Sequence, residues 1–213
     1  MSNVKTPLIV GVAADILSPS CAEVIVTALT ALKDSFPERG LHILVNNAAL
    51  AEFRDVDKAD PAQNQRCLKG NVETPILLVQ ALLPYFRPSS RVVNISSEGS
   101  HASRPGDLVY LASKAAMDSM TRTWAQALGR REGMQETTVN SVSVGLTRTE
   151  LYTQLPEETR EAIERESLPL VAVEPRLGEA DDIAQMCGSL VSEESRWMTA
   201  SVLCANGGAT PIL

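Results

Sequence analysis

A tyrosine and a lysine four residues apart are the side chains in this sequence best suited to acid–base chemistry. Tyr110 and Lys114 enclose the segment Leu-Ala-Ser, and this separation places both on one face of a helix. A lysine ammonium beside a phenol favours the phenolate, so it lowers the tyrosine pKa. A tyrosine that titrates nearer to neutral pH can serve as the general acid or base of a carbonyl reaction.

Two further signals accompany this pair. Ser97 lies 13 residues before Tyr110, with Ser96 as the alternative serine, and Asn46-Asn47-Ala48 follows an earlier apolar segment. A serine hydroxyl near the tyrosine could hold the oxygen of a substrate. Taken alone, the tyrosine and lysine could equally be a surface contact between a hydroxyl and an ion. The agreement of several signals favours an active site.

The elements that must position these residues follow from the hydrophobic pattern. Short apolar segments bounded by Gly, Pro, Asn and Ser are typical of strands buried on both faces. The predicted strands are residues 7–14, 41–46, 91–95, 139–144 and 200–204. The predicted helices are residues 18–36, 60–86 with a kink or a break at Pro75, 109–129, 156–168 and 179–190. Their alternation predicts an α/β fold with a doubly wound parallel sheet and helices on both faces.

Ligands of such sheets bind beyond the carboxyl ends of the strands. The residues that follow the predicted strands are Asp15, 46–49, 96–99, 144–149 and 206–208. We therefore expect the tyrosine, the serine and these strand ends to meet at one edge of the sheet.

Composition limits the class of protein. The 213 residues are 44% hydrophobic, which suits a single globular domain over residues 1–213. The formal net charge of −7, without a basic cluster, argues against nucleic acid. No apolar run could cross a bilayer, so no membrane association is expected. Four separated cysteines without a secretory signal predict a reduced, cytoplasmic protein, and two histidines without ligand spacing predict no metal.

These motifs resemble those of the short-chain dehydrogenase/reductase family, over nearly the whole chain from about Leu8. Residues 46–49 (Asn-Asn-Ala-Ala) resemble the family's N-N-A-G, and Tyr110 and Lys114 match its catalytic Y-x-x-x-K. Asn71 matches the family's helical asparagine. The resemblance implies a Rossmann-like fold and an oxidoreductase.

Three segments in the C-terminal half extend the resemblance. Residues 144–149 resemble the family's P-G-x-x-x-T, with valine in place of proline. Residues 177–184 and 206–208 resemble its two C-terminal signatures.

The resemblance implies a catalytic role for four residues. Tyr110 would exchange a proton with the substrate oxygen, and Lys114 would lower its pKa and hold the nicotinamide ribose. Ser97 would polarise the carbonyl. Asn71 would anchor a water in a proton relay, although by itself it could be a helix asparagine at a kink.

The resemblance also implies cofactor contacts. Besides Tyr110 and Lys114, Asp15 would contact the adenine ring and Asn47 would line the cofactor channel. Thr147 and Thr149 would meet the carboxamide and pyrophosphate side. Asp15 could instead be a turn or capping residue, and Thr149 could instead cap the next helix.

The implied cofactor is NAD(H) or NADP(H), with NADP(H) slightly preferred. The implied reaction is hydride transfer to or from the carbonyl or alcohol carbon of a small molecule. Residues 150–173 correspond to the family's substrate segment, and their apolar side chains suggest an apolar ligand of medium size. These are Leu151, Tyr152, Leu155, Leu168 and Leu170. By resemblance we expect a homo-oligomer or pairing with a related subunit.

One family feature is missing from this sequence. The glycine-rich turn that brings the backbone close to the cofactor pyrophosphate does not occur anywhere in the chain. The sequence therefore predicts an N-terminally incomplete family member that lacks the first β-α-β portion. Two alternatives remain open: a catalytically impaired form acting as an interaction subunit, and a cofactor-independent lyase or isomerase that reuses Tyr110.

Overall fold

Four parallel strands form the central sheet in the computed structural model, which describes residues 9–35, 40–52, 54, 56–58, 60–102, 106 and 108–212. In spatial order they are β1 (Leu41–Asn46), β2 (Phe86–Ile95), β3 (Thr138–Val144) and β6 (Val202–Ala205). The short strands β4 (Thr147–Arg148) and β5 (Gly178–Glu179) form a second, two-stranded sheet.

The helices of the described residues connect these strands. They are α1 (Cys21–Ser35), α2 (Pro61–Leu68), α3 (Thr74–Leu82), α4 (Leu108–Gly129), α5 (Glu150–Thr153), α6 (Glu157–Ser167) and α7 (Ala180–Val191). The segment Lys69–Glu73 between α2 and α3 is a π-helical turn.

Successive valines of the central strands pack on opposite faces of the sheet. Val92 and Val139 belong to a core cluster with residues of α3 and α4, whereas Val93 and Val142 belong to a cluster with α7. All four are at most 1% exposed. The predicted parallel sheet with helices on both faces is therefore confirmed, and both faces are buried because strand side chains alternate.

The strand register brings the carboxyl ends of the strands to one edge. Asn46 of β1 is level with Asn94 of β2, and its Nδ2 donates to Asn94 Oδ1 at 2.7 Å. Asn94 Nδ2 donates in turn to Thr121 Oγ1 on α4, also at 2.7 Å. This buried chain of amides and a hydroxyl fixes β1 and β2 against α4, the helix that carries Tyr110 and Lys114.

Most predicted elements are present with shifted ends, but the helical stretch predicted over residues 60–86 is interrupted before Pro75, where the kink or break was expected. The interruption is the π-helical turn Lys69–Glu73, and Pro75 lies in the first turn of α3. A proline is tolerated there because that position needs no hydrogen bond from its backbone nitrogen. The helix also ends at Leu82, and Phe86 already belongs to β2.

The strand predicted over residues 7–14 is wrong for the residues described. Residues 9–14 form no strand, and Ile9 is 88% exposed. Their Val and Ile content favours a strand, but a strand also needs a neighbour that accepts its backbone hydrogen bonds. Residues 7 and 8, like Phe36 at the predicted end of the first helix, lie outside the described residues.

Candidate active site

Tyr110 and Lys114 lie together near the beginning of α4. Lys114 Nζ is 5.7 Å from the centroid of the Tyr110 ring. Their separation of four residues produces this arrangement, since such residues are neighbours on a helix surface. The lysine cation thus lies where it can stabilise a phenolate on Tyr110.

Lys114 is almost fully buried, with 3% of its surface exposed. Its Nζ donates to the backbone oxygen of Ile95, the last residue of β2, at 2.7 Å. Burial lowers the pKa of Lys114 to about 8, while the negative charge of Asp118 acts in the opposite direction. The ammonium has three donors, and among the described residues Ile95 takes one of them, so the others can serve a ligand or water.

Ser97, rather than Ser96, has a hydroxyl available at the end of β2. Ser96 is buried, and its Oγ donates to the backbone oxygen of Lys114 at 3.3 Å. Ser97 is half-buried, and its Oγ accepts from the backbone N–H of Gly99 at 3.3 Å. Because a hydroxyl both donates and accepts, the Ser97 proton can be directed to a substrate oxygen.

Asn71 is 1% exposed and lies in the π-helical turn. Its Nδ2 lies 2.8 Å from the Leu50 oxygen and 3.0 Å from Ser113 Oγ. Ser113 Oγ donates to the backbone oxygen of Tyr110 at 2.6 Å. Asn71 therefore connects the segment after β1 to the helical turn that carries Tyr110.

Three of the four other candidate residues lie at or near strand ends, and Asp15 lies in a turn. Asn47 directly follows β1 and is exposed. Asp15 forms a turn before α1, in which Oδ1 accepts from the Leu17 N–H at 2.9 Å. Thr147 lies in β4. Thr149 caps α5, with its Oγ1 accepting from the Tyr152 N–H at 3.3 Å. The turn and capping alternatives for Asp15 and Thr149 thus describe their local structure.

A cavity of about 600 Å³ opens beside the carboxyl ends of β3 and β6. Much of its wall is apolar, with contributions from Leu146, Leu168, Leu170, Ile183 and Met186. Of the five apolar residues singled out in the segment 150–173, only Leu168 and Leu170 line it.

The polar end of this cavity contains a buried carboxylate. Glu98, which directly follows Ser97, is 3% exposed and lines the cavity. Asn206 Nδ2 donates to Glu98 Oε2 at 3.1 Å. Gly145 keeps the strand ends close, since a Cβ there would lie 2.7 Å from Asn206 Cβ.

Sequence reasoning missed two buried acids near the site, Glu98 and Asp118. Asp118 could have been found, because it continues the four-residue spacing of Tyr110 and Lys114 on α4. Glu98 gives no such signal, since a charged residue after a strand is usually solvent-exposed.

The arrangement fits the nicotinamide end of a dinucleotide cofactor. Free donors of Lys114 suit ribose hydroxyls, and the tyrosine and the serine proton suit an oxygen that gains or loses a proton. Among the described residues, no helix is long and apolar enough to span a bilayer. Those residues also contain no cluster of three or more His, Cys, Asp or Glu side chains that could hold a metal ion.

Comparison with known sequences gives a consistent result. A family model described as enoyl-(acyl carrier protein) reductase matches residues 6–210. The short chain dehydrogenase penD of Penicillium thymicola is 35% identical over 93% of this chain and 72% of its own length. The dehydrogenase OXI1 of Cochliobolus heterostrophus is 32% identical over 79% of this chain and 71% of its own length. The short-chain dehydrogenase/reductase FrzI of Cladobotryum sp is 36% identical, and 66% of its length is covered.

Solved structures agree with the sequence matches. The angucycline C-6 ketoreductase LanV with bound NADP superposes with a TM-score of 0.82 at 28% identity, over 93% of this chain and 74% of that one. The promiscuous reductase LugOII has a TM-score of 0.82 at 28% identity, over 94% and 77% of the two chains. The family and the class of enzyme expected from the motifs are therefore confirmed.

Proposed function

Because the chain belongs to the short-chain dehydrogenase/reductase family of NAD(P)-dependent oxidoreductases, we propose that it interconverts a carbonyl and an alcohol with Tyr110 as acid or base. The observation that carries the proposal is the buried Lys114 ammonium 5.7 Å from the Tyr110 ring centroid. A positive charge in this position favours the phenolate. Such a phenolate suits a residue that exchanges a proton with a substrate oxygen.

The proposed cofactor is NADP(H), supported by the NADP bound in the similar ketoreductase LanV. The nicotinamide, when bound, supplies or accepts the hydride. Lys114 and Tyr110 would hold the nicotinamide ribose. Asn47, Thr147, Thr149 and Asp15 are the further contacts proposed for the cofactor.

Ser97 and Asn71 support the tyrosine in different ways. The Ser97 proton would be donated to the substrate oxygen, which polarises the carbonyl and orients it toward Tyr110. Asn71 fixes the Tyr110 turn through Ser113 and would hold a water on the proton path to Lys114. Proton transfer by a positioned side chain typically contributes about 10²–10⁴ in rate.

The proposed substrate is an apolar small molecule. The cavity of about 600 Å³ beside β3 and β6 supports this choice, since it has the size of a typical ligand pocket and an apolar wall. Glu98 at its polar end, held by Asn206, would accept a hydrogen bond from a hydroxyl group of that substrate.

We further propose that residues 1–213 act as one domain that associates with copies of itself or with a related subunit. Both core clusters of the described residues pack on the same four-stranded sheet, which supports the single domain. Ile76 and Leu77 of α3 are 42% and 41% exposed, which supports association through this helix. Light scattering after size-exclusion chromatography would measure the state of assembly.

Cofactor titration tests the proposed function directly. We expect NADPH, and less tightly NADH, to change the protein's tryptophan fluorescence with a saturable curve below about 1 mM. Turnover of an aryl alkyl ketone would then be followed by the loss of NADPH absorbance. Binding of neither nucleotide at millimolar concentration would overturn the proposal.

Tyr110→Phe separates binding from chemistry. This variant should still bind NADPH, while ketone reduction falls by about 10²-fold or more. If a reaction persists without any nucleotide and is lost in Tyr110→Phe, the chain is a lyase or isomerase instead.

A further inference from the structure

Asp118 is a buried carboxylate that the acid–base scheme does not use. It is 2% exposed and lies one turn of α4 after Lys114, which lies one turn after Tyr110. The three side chains form a column on one face of the helix. A carboxylate out of water requires hydrogen bonds or opposite charge, so its partners reveal which parts of the structure it holds together.

Three donors from outside α4 converge on the Asp118 carboxylate. Ser100 Oγ and His101 Nε2 lie 2.7 Å and 3.1 Å from Oδ2. Ser141 Oγ, from β3, lies 2.8 Å from Oδ1. The Asp118 side chain therefore connects α4, which carries the proposed acid Tyr110, to β3 and to the turn that follows β2.

That turn begins at Ser97. The backbone N–H of Ser100 donates to the Ser97 oxygen at 3.0 Å, and Ser100 Oγ lies 2.8 Å from the same oxygen. Ser100 has a single hydroxyl proton, and an ionised carboxylate is the stronger acceptor. Ser100 thus connects Asp118 on one side to the backbone of Ser97 on the other.

We propose that Asp118 is a positioning residue, whose carboxylate fixes the Ser97 turn against the face of α4 that carries Tyr110 and Lys114. The proposal rests on the proposed function, because it assigns Ser97 and Tyr110 to the same reaction. Without the carboxylate, Ser100 and His101 lose a shared acceptor. The Ser97 hydroxyl is then no longer held at a fixed separation from Tyr110, and a displacement of about 1 Å can cost about 10²-fold in rate.

The charge of Asp118 has a second effect, on Lys114. The groups that face Lys114 are Tyr110 and Asp118 on its own helix, Cys67 on α2 and the Ile95 oxygen on β2. Asp118 raises the pKa of Lys114 against the effect of burial. His101 approaches Asp118 from the Ser97 turn. Without the Asp118 charge the pKa of Lys114 would be lower still, so Lys114 would lose its proton at a lower pH.

The test uses Asp118→Asn, which keeps the shape of the side chain and removes its charge. Asp181→Asn is the matched control, because Asp181 is an exposed aspartate of α7 outside the cavity wall. Amide hydrogen exchange of residues 97–102 is measured by mass spectrometry, together with kcat and KM for ketone reduction at about pH 6.5 and about pH 8.5.

We expect exchange of residues 97–102 to become about tenfold faster in Asp118→Asn, with other regions unchanged. We also expect kcat to fall about 30-fold, with KM within about threefold of the wild-type value. The loss of kcat should be larger at about pH 8.5 than at about pH 6.5, because Lys114 is then less protonated. Asp181→Asn should match the wild type in every measurement.

Faster local exchange in Asp118→Asn without any wild-type turnover would overturn the proposed function and leave the structural role of Asp118 intact. Unchanged exchange of residues 97–102 would overturn the positioning role, as would a loss of kcat that is the same at both pH values. If Asp118→Asn does not fold, Ser100→Ala removes only one of the three contacts. It should then show the same local exchange with a smaller loss of kcat, and wild-type behaviour of Ser100→Ala would overturn the proposal.

Discussion

The side-chain amide of Asn71 pairs with both backbone polar groups of Leu50. Asn71 Oδ1 accepts from the Leu50 N–H at 2.8 Å, and Asn71 Nδ2 donates to the Leu50 oxygen at 2.8 Å. The side chain thus replaces the neighbouring strand that a residue just beyond β1 would otherwise need. It holds the segment after Asn47 at a fixed distance from the π-helical turn.

Asn71→Ala should lower the free energy of unfolding by about 2–3 kcal/mol, because it removes the hydrogen bonds that both Leu50 backbone groups form with the amide. Asn71→Asp should be at least as damaging, since a carboxylate oxygen would then face the Leu50 oxygen. Urea denaturation followed by circular dichroism measures both, with Gln65→Ala on the exposed side of α2 as the control. A loss below about 0.5 kcal/mol for Asn71→Ala would contradict this account.

Burial of Lys114 makes stability depend on pH. Its pKa falls from its ordinary value of 10.5 to about 8 in the folded chain, so the unfolded chain binds one more proton between these values. Stability due to Lys114 therefore rises with pH through this window. The total gain is about 3 kcal/mol.

Lys114→Met removes the titrating group and isolates this effect. The free energy of unfolding of the wild type, relative to Lys114→Met, should increase by up to about 3 kcal/mol from about pH 7 to about pH 10.5. Guanidinium denaturation at several pH values measures this difference in the free energy of unfolding. The contributions of the other titrating groups cancel in the difference. A difference that stays constant over the range would show that Lys114 is not desolvated in the folded chain.

The relation between Tyr110 and Lys114 could be predicted from the sequence because it depends only on helix geometry. The placement of Val92, Val139 and Val142 in strands could also be predicted from the sequence. A short apolar run with turn residues at its ends is compatible with few structures other than a buried strand. Such features are local, and the signal lies within about ten residues.

The bond between Asn71 and Leu50 could not be predicted, because it joins residues 21 positions apart through a π-helical turn. The buried state of Glu98 depends on Asn206, which lies 108 positions away. Residues 9–14 show the converse case, in which strand composition is present and a neighbouring strand is not found among the described residues. These features depend on tertiary contacts, which the local sequence pattern does not reveal.

Gly145→Ala should destabilise the protein by about 1–3 kcal/mol. The added Cβ would lie 2.7 Å and 2.8 Å from the Cβ and Cα of Asn206, so the ends of β3 and β6 would have to separate. Gly188→Ala in α7 is the control of opposite sign, because nothing lies within 4 Å of its added Cβ. It should stabilise the helix by roughly 0.5–1 kcal/mol. Thermal unfolding measures the melting temperature of both variants. Equal shifts in melting temperature relative to the wild type would contradict the close approach at Gly145.

Two leucines of the proposed substrate segment should respond differently to enlargement. Leu168 lines the cavity beside β3 and β6, whereas Leu151 is 57% exposed and lies outside its wall. Leu168→Trp should therefore raise KM for an apolar ketone by about tenfold, because the larger ring reduces the space for a ligand. The dissociation constant of NADPH should not change. Leu151→Trp should leave KM unaltered, and steady-state kinetics of both variants measure the difference. If Leu151→Trp raises KM and Leu168→Trp does not, the substrate binds elsewhere than in this cavity.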